Sequence, residues 1–258
     1  MDRKAKRVAT IAIGDIHGNY GALADLLEKL VPQIHADDTL VFLGDYIDRG
    51  PDSRNCVEEI IRLRQDAPFS VVTLLGNHEE WMLATKDDYT RHSWLFNIEA
   101  FDTIASYSTD AADQLRTAME NAGAAVITER IRLPYNLFFD LLPRTHVEFF
   151  ENLKLFYRSG DVLCVHGGLD PEVELVEAQQ PRSITWGCDG FPERYRGEQA
   201  VVYGHKNYHD MDESGRPVPH ILSNGTFGID TMSSGVLTAT RFPDGKMFQS
   251  SQGESSRK

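Results

Sequence analysis

The chain has only three cysteines, Cys56, Cys164 and Cys188, an odd number without CxxC spacing. That excludes a disulfide framework and a thiolate zinc site, and reduced thiols suit a cytoplasmic protein. No apolar run approaches the roughly 20 residues that cross a bilayer, so no membrane span is expected. The start, MDRKAKRVATIAIGD, is basic and then apolar for only about seven residues, with no small-residue cleavage site. It reads as a first strand rather than a signal peptide. Positive charge is also scarce: 26 Lys and Arg face 39 Asp and Glu, a formal net charge of -13. A broad nucleic-acid groove needs a basic surface and is not expected. An anionic substrate is still allowed, because surface fields are screened within about 8 Å at physiological salt while charge at a site is not.

What is present describes an ordinary globule: 258 residues, 41% apolar and 25% charged, long enough for one domain with an insertion. Three short β-branched runs, VATIAI (8–13), TLVFL (39–43) and SVVTLL (70–75), are nearly uncharged, as expected of strands buried on both faces. Between them YGALADLLEKL (20–30) and SRNCVEEIIRLR (53–64) carry apolar residues at helical spacing. The pattern is β-α-β-α-β, which predicts a largely parallel sheet with helices on both faces. Residues 87–158 lack a strong strand signal and read as a mostly helical insertion. Strand signals return at DVLCVH (161–166), AVVYGH (200–205), HILS (220–223), GTFGID (225–230) and GVLTATRF (235–242), the last group reading as a meander. We place one domain over residues 1–250 and a disordered tail over 251–258.

Five polar clusters fall at the C-terminal ends of predicted strands, where open α/β sheets bind ligands. They are Gly14-Asp15-Ile16-His17-Gly18-Asn19, Gly44-Asp45-Tyr46-Ile47-Asp48-Arg49-Gly50, Gly76-Asn77-His78-Glu79, His166-Gly167-Gly168 and Gly204-His205. A single GD or GN is an ordinary turn former, but turns do not require histidine at 17, 78, 166 and 205. Carboxylate, amide-oxygen and imidazole donors suit divalent metals. Asp15 and His17 can converge on one ion, and Asp45 can bridge to a second completed by Asn77, His166 and His205. Two ions about 3.5–4 Å apart clamp both oxygens of a displacement. They bring +4 against -2 from Asp15 and Asp45, and Arg49 adds a planar cation, so the site attracts phosphate.

The set GDIHGN, GDYIDRG, GNHE, HGG and GH, running from residue 14 to 205, resembles the signature of the phosphoprotein phosphatase family of calcineurin-like metallophosphoesterases. Within it the chain is most similar to bacterial serine/threonine phosphatases and to symmetrical diadenosine tetraphosphate hydrolases. The resemblance implies an α/β sandwich of two mixed sheets flanked by helices, carrying the helical insertion. It also implies two divalent metal ions, manganese first with iron or zinc compatible. Asp15, His17 and Asp45 would hold one, and Asp45, Asn77, His166 and His205 the other. His78 would be the general acid, oriented by Asp48, and Arg49 would bind phosphate. The implied reaction is hydrolysis of a phosphomonoester by in-line attack of a metal-bridging hydroxide, on a phosphoprotein or a small phosphorylated molecule. The alternative substrate is a dinucleotide polyphosphate. A metal-binding module that has lost catalysis is disfavoured by His78, Asp48 and Arg49, which bare metal binding does not need. The oligomeric state is left open.

One departure and one near-match narrow the resemblance. Gly204-His205-Lys206-Asn207 lacks the second histidine of related GHxH phosphodiesterases, as in the phosphoprotein phosphatase pattern. The family's second phosphate-binding arginine has no clean counterpart, and Arg182, Arg194 and Arg196 all remain candidates. Cys188 to Arg194 matches a C-x5-R spacing, but Phe191, Pro192 and two acids do not suit a phosphate loop. Glu79 and Glu80 read as helix-start charges. His35, His92, His146, His209 and His220 read as surface or packing residues, and Trp81, Trp94, Phe96, Phe101, Phe138 and Phe139 as packing for the insertion.

Overall fold

A computed structural model describes residues 8–97, 99–160 and 162–251. Most of the expected tail, 252–258, lies outside the described residues. The N-terminal half runs β1 (Thr10–Ile13), α1 (Tyr20–Leu30), β2 (Thr39–Phe42), α2 (Ser53–Asp66), β3 (Ser70–Thr73) and α3 (Asn77–Asp87). Residues 87–158 hold α4 (Ser93–Asn97), α5 (Phe101–Tyr107), α6 (Thr109–Ala122), α7 (Ala125–Thr128), α8 (Asn136–Phe139), α9 (Arg144–Glu151) and the first residues of β4 (Phe156–Ser159). Then come β5 (Val162–Val165), α10 (Pro181–Trp186), β6 (Ala200–Tyr203), β7 (His209–Met211), β8 (Pro217–Ile221), β9 (Thr226–Gly228), β10 (Thr238–Phe242) and β11 (Lys246–Gln249).

These strands make two mixed sheets, ordered β11-β10-β1-β2-β3 and β4-β5-β6-β9-β8-β7. The first is parallel through β1, β2 and β3, with Ile13, Phe42 and Thr73 in register. The second is parallel through β5, β6 and β9. The expectation of helices on both faces of the first sheet is corrected here. Ile11, Ile13, Leu40 and Phe42 face the helices and join Leu23, Leu26, Val57 and Ile60. Their neighbours Ala12, Val41 and Leu43 face the second sheet and meet Val162, Cys164, Val202 and Ile229. Either arrangement buries both faces, so an uninterrupted apolar run is compatible with each. The meander is corrected too: β8 pairs with β9 in one sheet, whereas β10 crosses to the other and pairs with β1 and β11. β3 lies at a sheet edge and is only partly buried, not enclosed on both faces.

α1 buries Leu23, Leu26, Leu27 and Leu30, the three- and four-residue spacing of one helical face. Ser108 caps α6, its hydroxyl accepting the Ala111 N–H. The insertion is no appendage. Trp94, Ile104, Leu115, Phe138 and Phe149 share a continuous core with α1, α2 and the first sheet. The outer face of the second sheet, with Leu163, Val165, Val201 and Tyr203, is covered by Ile184 of α10 and by Phe191. In-register pairing brings the C-terminal ends of β1, β2 and β3 level, and sandwich packing sets the ends of β5, β6 and β9 beside them.

Candidate metal centre

That shared rim gathers the predicted donors. Asp15 follows β1, Asp45 follows β2, Asn77 opens α3 after β3, His166 follows β5 and His205 follows β6. Two groups can each hold a cation: His17, Asp45 and His78, and Asp45, His166 and His205. Asp45 belongs to both. Asn77 joins the second, its Oδ1 lying 3.0 Å from His166 Nε2 and 2.8 Å from His205 Nδ1. Asp15 sits beside the first, its Oδ2 3.8 Å from His17 Nε2.

The backbone around these donors is strained. Among the described residues seven non-glycines have positive φ, and five are His17 (46°), Asp45 (51°), Asp48 (71°), Arg49 (65°) and His205 (62°). A left-handed backbone costs roughly 1–2 kcal/mol for an ordinary residue, and such strain gathers where function fixes the geometry. Close approach demands glycine twice. A Cβ on Gly76 would fall 2.1 Å from Asp45 Oδ1, and one on Gly204 would fall 2.0 Å from Asp15 Oδ1.

The donor set fits divalent cations. His17 Nδ1 contacts the Ile47 carbonyl at 3.2 Å and His166 Nδ1 the Leu43 carbonyl at 3.0 Å. A carbonyl only accepts, so Nδ1 carries a proton in both rings and Nε2 is the atom each turns inward. Neutral His166 Nε2 and Asn77 Oδ1 would be two acceptors facing each other, so positive charge belongs between them, either a metal cation or, in its absence, a proton: burial opposes it, but Asp45 holds the His166 imidazole above its ordinary pKa. Asp45 answers the same need. Burial would push its carboxyl up, but the charges of His166 and His78 outweigh it and hold Asp45 well below the usual range. Asp15 Oδ1 is buried with no partner. Burial, then the charges of Asp230 and Asp45, push the Asp15 carboxyl well up. Burial holds the imidazoles of His17 and His205 neutral, the latter down to about 3.

Beside the donors lies His78. His78 Nδ1 is 2.8 Å from Asp48 Oδ2, and its Nε2 is buried, without a partner, 3.8 Å from Asp45 Oδ2. Burial opposes its protonation, but the charges of Asp45 and Asp48 prevail and hold the imidazole above its ordinary pKa. Arg49 is exposed and reaches in, Nη1 lying 2.8 Å from His17 Nε2.

Several functional contacts escaped the sequence reading. Glu79 is no solvated helix-start charge. Fully buried, it accepts the N–H groups of Asp45 (2.9 Å), Tyr46 (2.8 Å) and Gly76 (3.2 Å), shaping the Asp45 turn. Burial pushes it up to about 7, with Asp45 adding. Asp48 is gripped by the insertion: Trp94 Nε1 donates to its Oδ2 at 3.0 Å and Thr103 Oγ1 to its Oδ1 at 2.5 Å. The GNHE motif held a signal for Glu79, whereas Trp94 and Thr103 are 46 and 55 residues from Asp48 and carried none. Glu80 accepts from Thr185 Oγ1 and Trp186 Nε1 and anchors α10. Of the candidate arginines, only Arg182 lies near the centre. Its guanidinium sits 4.9 Å above the Trp186 ring, which is 5.6 Å from the His205 ring. Arg194 pairs with Glu172, and Arg196 donates to backbone carbonyls. Cys188 donates to Ser183, so Cys188 and Arg194 make no phosphate loop. Trp81 packs against the core it shares with the insertion and also meets the Trp186 ring at 4.7 Å, tilted by 44°.

Residues 9–220 match the family described as Calcineurin-like phosphoesterase, most of the chain. The chain belongs to the calcineurin-like phosphoesterase family. Over 84 residues it is 42% identical to a symmetrical bis(5'-nucleosyl)-tetraphosphatase of Methylobacillus flagellatus, covering 33% of this chain and 28% of that protein. Over 164 residues it is 26% identical to serine/threonine-protein phosphatase PP1-1 of Saccharomyces cerevisiae, covering 64% and 40%. The chain thus spans well under half the length of these curated relatives. Among solved structures it resembles a putative diadenosine tetraphosphatase, with TM-score 0.60, 21% identity, and 96% and 95% of the two chains covered. That likeness is one of fold. No described helix is long and apolar enough to cross a membrane.

Proposed function

We propose that this chain hydrolyses phosphate monoesters, with phosphoserine or phosphothreonine in protein as substrate, in the cytoplasm. Two divalent ions serve as cofactors, manganese first among N/O-compatible metals, and they make a nucleophilic water available at neutral pH and neutralise phosphate charge. Asp15, His17 and Asp45 hold one, and Asp45, Asn77, His166 and His205 the other. Arg49 offers two parallel N–H donors to phosphate oxygens. His78 gives its Nε2 proton to the departing oxygen while Asp48, on Nδ1, keeps the ring oriented and charged.

The His78–Asp48 pair carries the choice of substrate class. An alkoxide leaves poorly without a proton, whereas a phosphate leaving group needs little help. A buried, oriented imidazole with a free Nε2 therefore suits an alkyl ester. A second reading, hydrolysis of a dinucleotide polyphosphate, draws support from the Arg182–Trp186–Trp81 cluster beside His205, which offers aromatic surface and a cation to a nucleotide. A panel of phosphopeptide, aryl phosphate and diadenosine tetraphosphate assayed with manganese separates the two. Highest kcat/KM on the phosphopeptide supports the first reading, and strong preference for the dinucleotide replaces it with the second.

A further inference from the structure

Six parallel strands end at the rim, and five of them supply a proposed metal donor there: Asp15, Asp45, Asn77, His166 and His205. The sixth, β9, ends in Gly228, followed by Ile229 and Asp230. We propose that Asp230 is a third carboxylate of the metal centre, a positioning residue that fixes the His205 segment and supplies negative charge for cation binding. The proposal rests on the two-metal reading above.

Three observations carry it. β1 and β9 meet at their ends: a Cβ on Gly14 would lie 2.6 Å from the Ile229 carbonyl oxygen, which sets the next residues, Asp15 and Asp230, side by side. The two acids then hold one strained segment in the same way. Asp15 Oδ2 accepts the His205 N–H and Asp230 Oδ2 accepts the Asn207 N–H, both at 2.9 Å, and the two donors, His205 and Asn207, have positive φ. Finally, each acid leaves its Oδ1 buried with no hydrogen-bond partner, and Asp230 is only 1% exposed. A turn cap needs one oxygen and no net charge, and asparagine serves as well. Burying a charged carboxylate with a bare oxygen next to Asp15 and Asp45 is costly, unless a cation shares the space.

Asp230→Asn separates charge from capping, because the amide oxygen still accepts the Asn207 N–H. Wild-type and variant chains are stripped with chelator, their melting temperatures recorded, and manganese binding measured by calorimetry with metal content by elemental analysis. We expect the variant to bind manganese 10–100-fold more weakly, the range typical of groups that support a ligand, while its metal-free melting temperature is no lower than wild type. Asp230→Glu, which returns the charge, recovers part of the affinity. Wild-type affinity in Asp230→Asn overturns the proposal, as does a variant that folds poorly without metal, since either outcome makes Asp230 a turn cap alone. A wild-type chain that binds no metal overturns the functional reading as well, so the two failures are distinguishable.

Discussion

Replacing His78 by Asn removes the proton donor and leaves the six proposed ligands untouched. Its Nδ1 is held at 2.8 Å by Asp48, and its Nε2, buried and unpartnered, faces the space beside Asp45. A positioned general acid contributes about 10²–10⁴-fold, equivalent to about 2.7–5.4 kcal/mol of barrier at 1.36 kcal/mol per tenfold. That whole range should be lost on a phosphoserine peptide, whose alkoxide must be protonated as it leaves. With 4-nitrophenyl phosphate the leaving group carries its own charge comfortably, and the loss should stay below about tenfold by the same Brønsted reasoning. The assay is steady-state kcat on both substrates with manganese, alongside elemental analysis of the variant. Equal losses on both would refute the acid role. So would a fall in metal content, because His78 also lies in the group formed with His17 and Asp45 and would then be a ligand.

Three further outcomes follow from the same contacts. Trp94→Phe keeps an aromatic ring but deletes the pyrrole ring together with the N–H that Asp48 accepts at 3.0 Å. It should cost about 1.5–3 kcal/mol of stability, read by denaturant unfolding, and lower kcat on the phosphopeptide without changing metal content. Glu79→Gln leaves one acceptor oxygen for four converging N–H groups, those of Asp45, Tyr46, Ile47 and Gly76. Losing about 2–3 kcal/mol should lower the melting temperature by roughly 4–12 °C in a chain of this size, and bound metal should fall because the Asp45 turn loosens. Burial pushes the thiols of Cys56 and Cys164 far up, whereas Cys188 is only half-buried. A thiol reagent at pH 8 should therefore label Cys188 in the native protein and all three cysteines in denaturant, and labelling of two or more in the native state would contradict this packing.

Asp15, His17, Asp45, Asn77, His166 and His205 were legible in the chain because each follows an apolar run and sits in a glycine-flanked loop, a local pattern that needs no folding to be seen. The two-layer core was less so. VATIAI and TLVFL are apolar at every position, and whether their second face meets helices or another sheet depends on partners far along the chain. The C-terminal strands were misjoined for the same reason: sequence neighbours β9 and β10 pair with different sheets.

The amino-acid order by itself determined which side chains are candidates for holding metal and phosphate, and that they follow strand-forming apolar runs. Only the tertiary structure decided how that chemistry is tuned. It brought Trp94 and Thr103 onto Asp48 and turned Glu79 inward. It put Arg182, alone of three candidate arginines, beside the centre and set the end of β9, with Asp230, against the end of β1. Each of these is a contact between segments remote in sequence, and no local periodicity encodes the place where two distant loops touch.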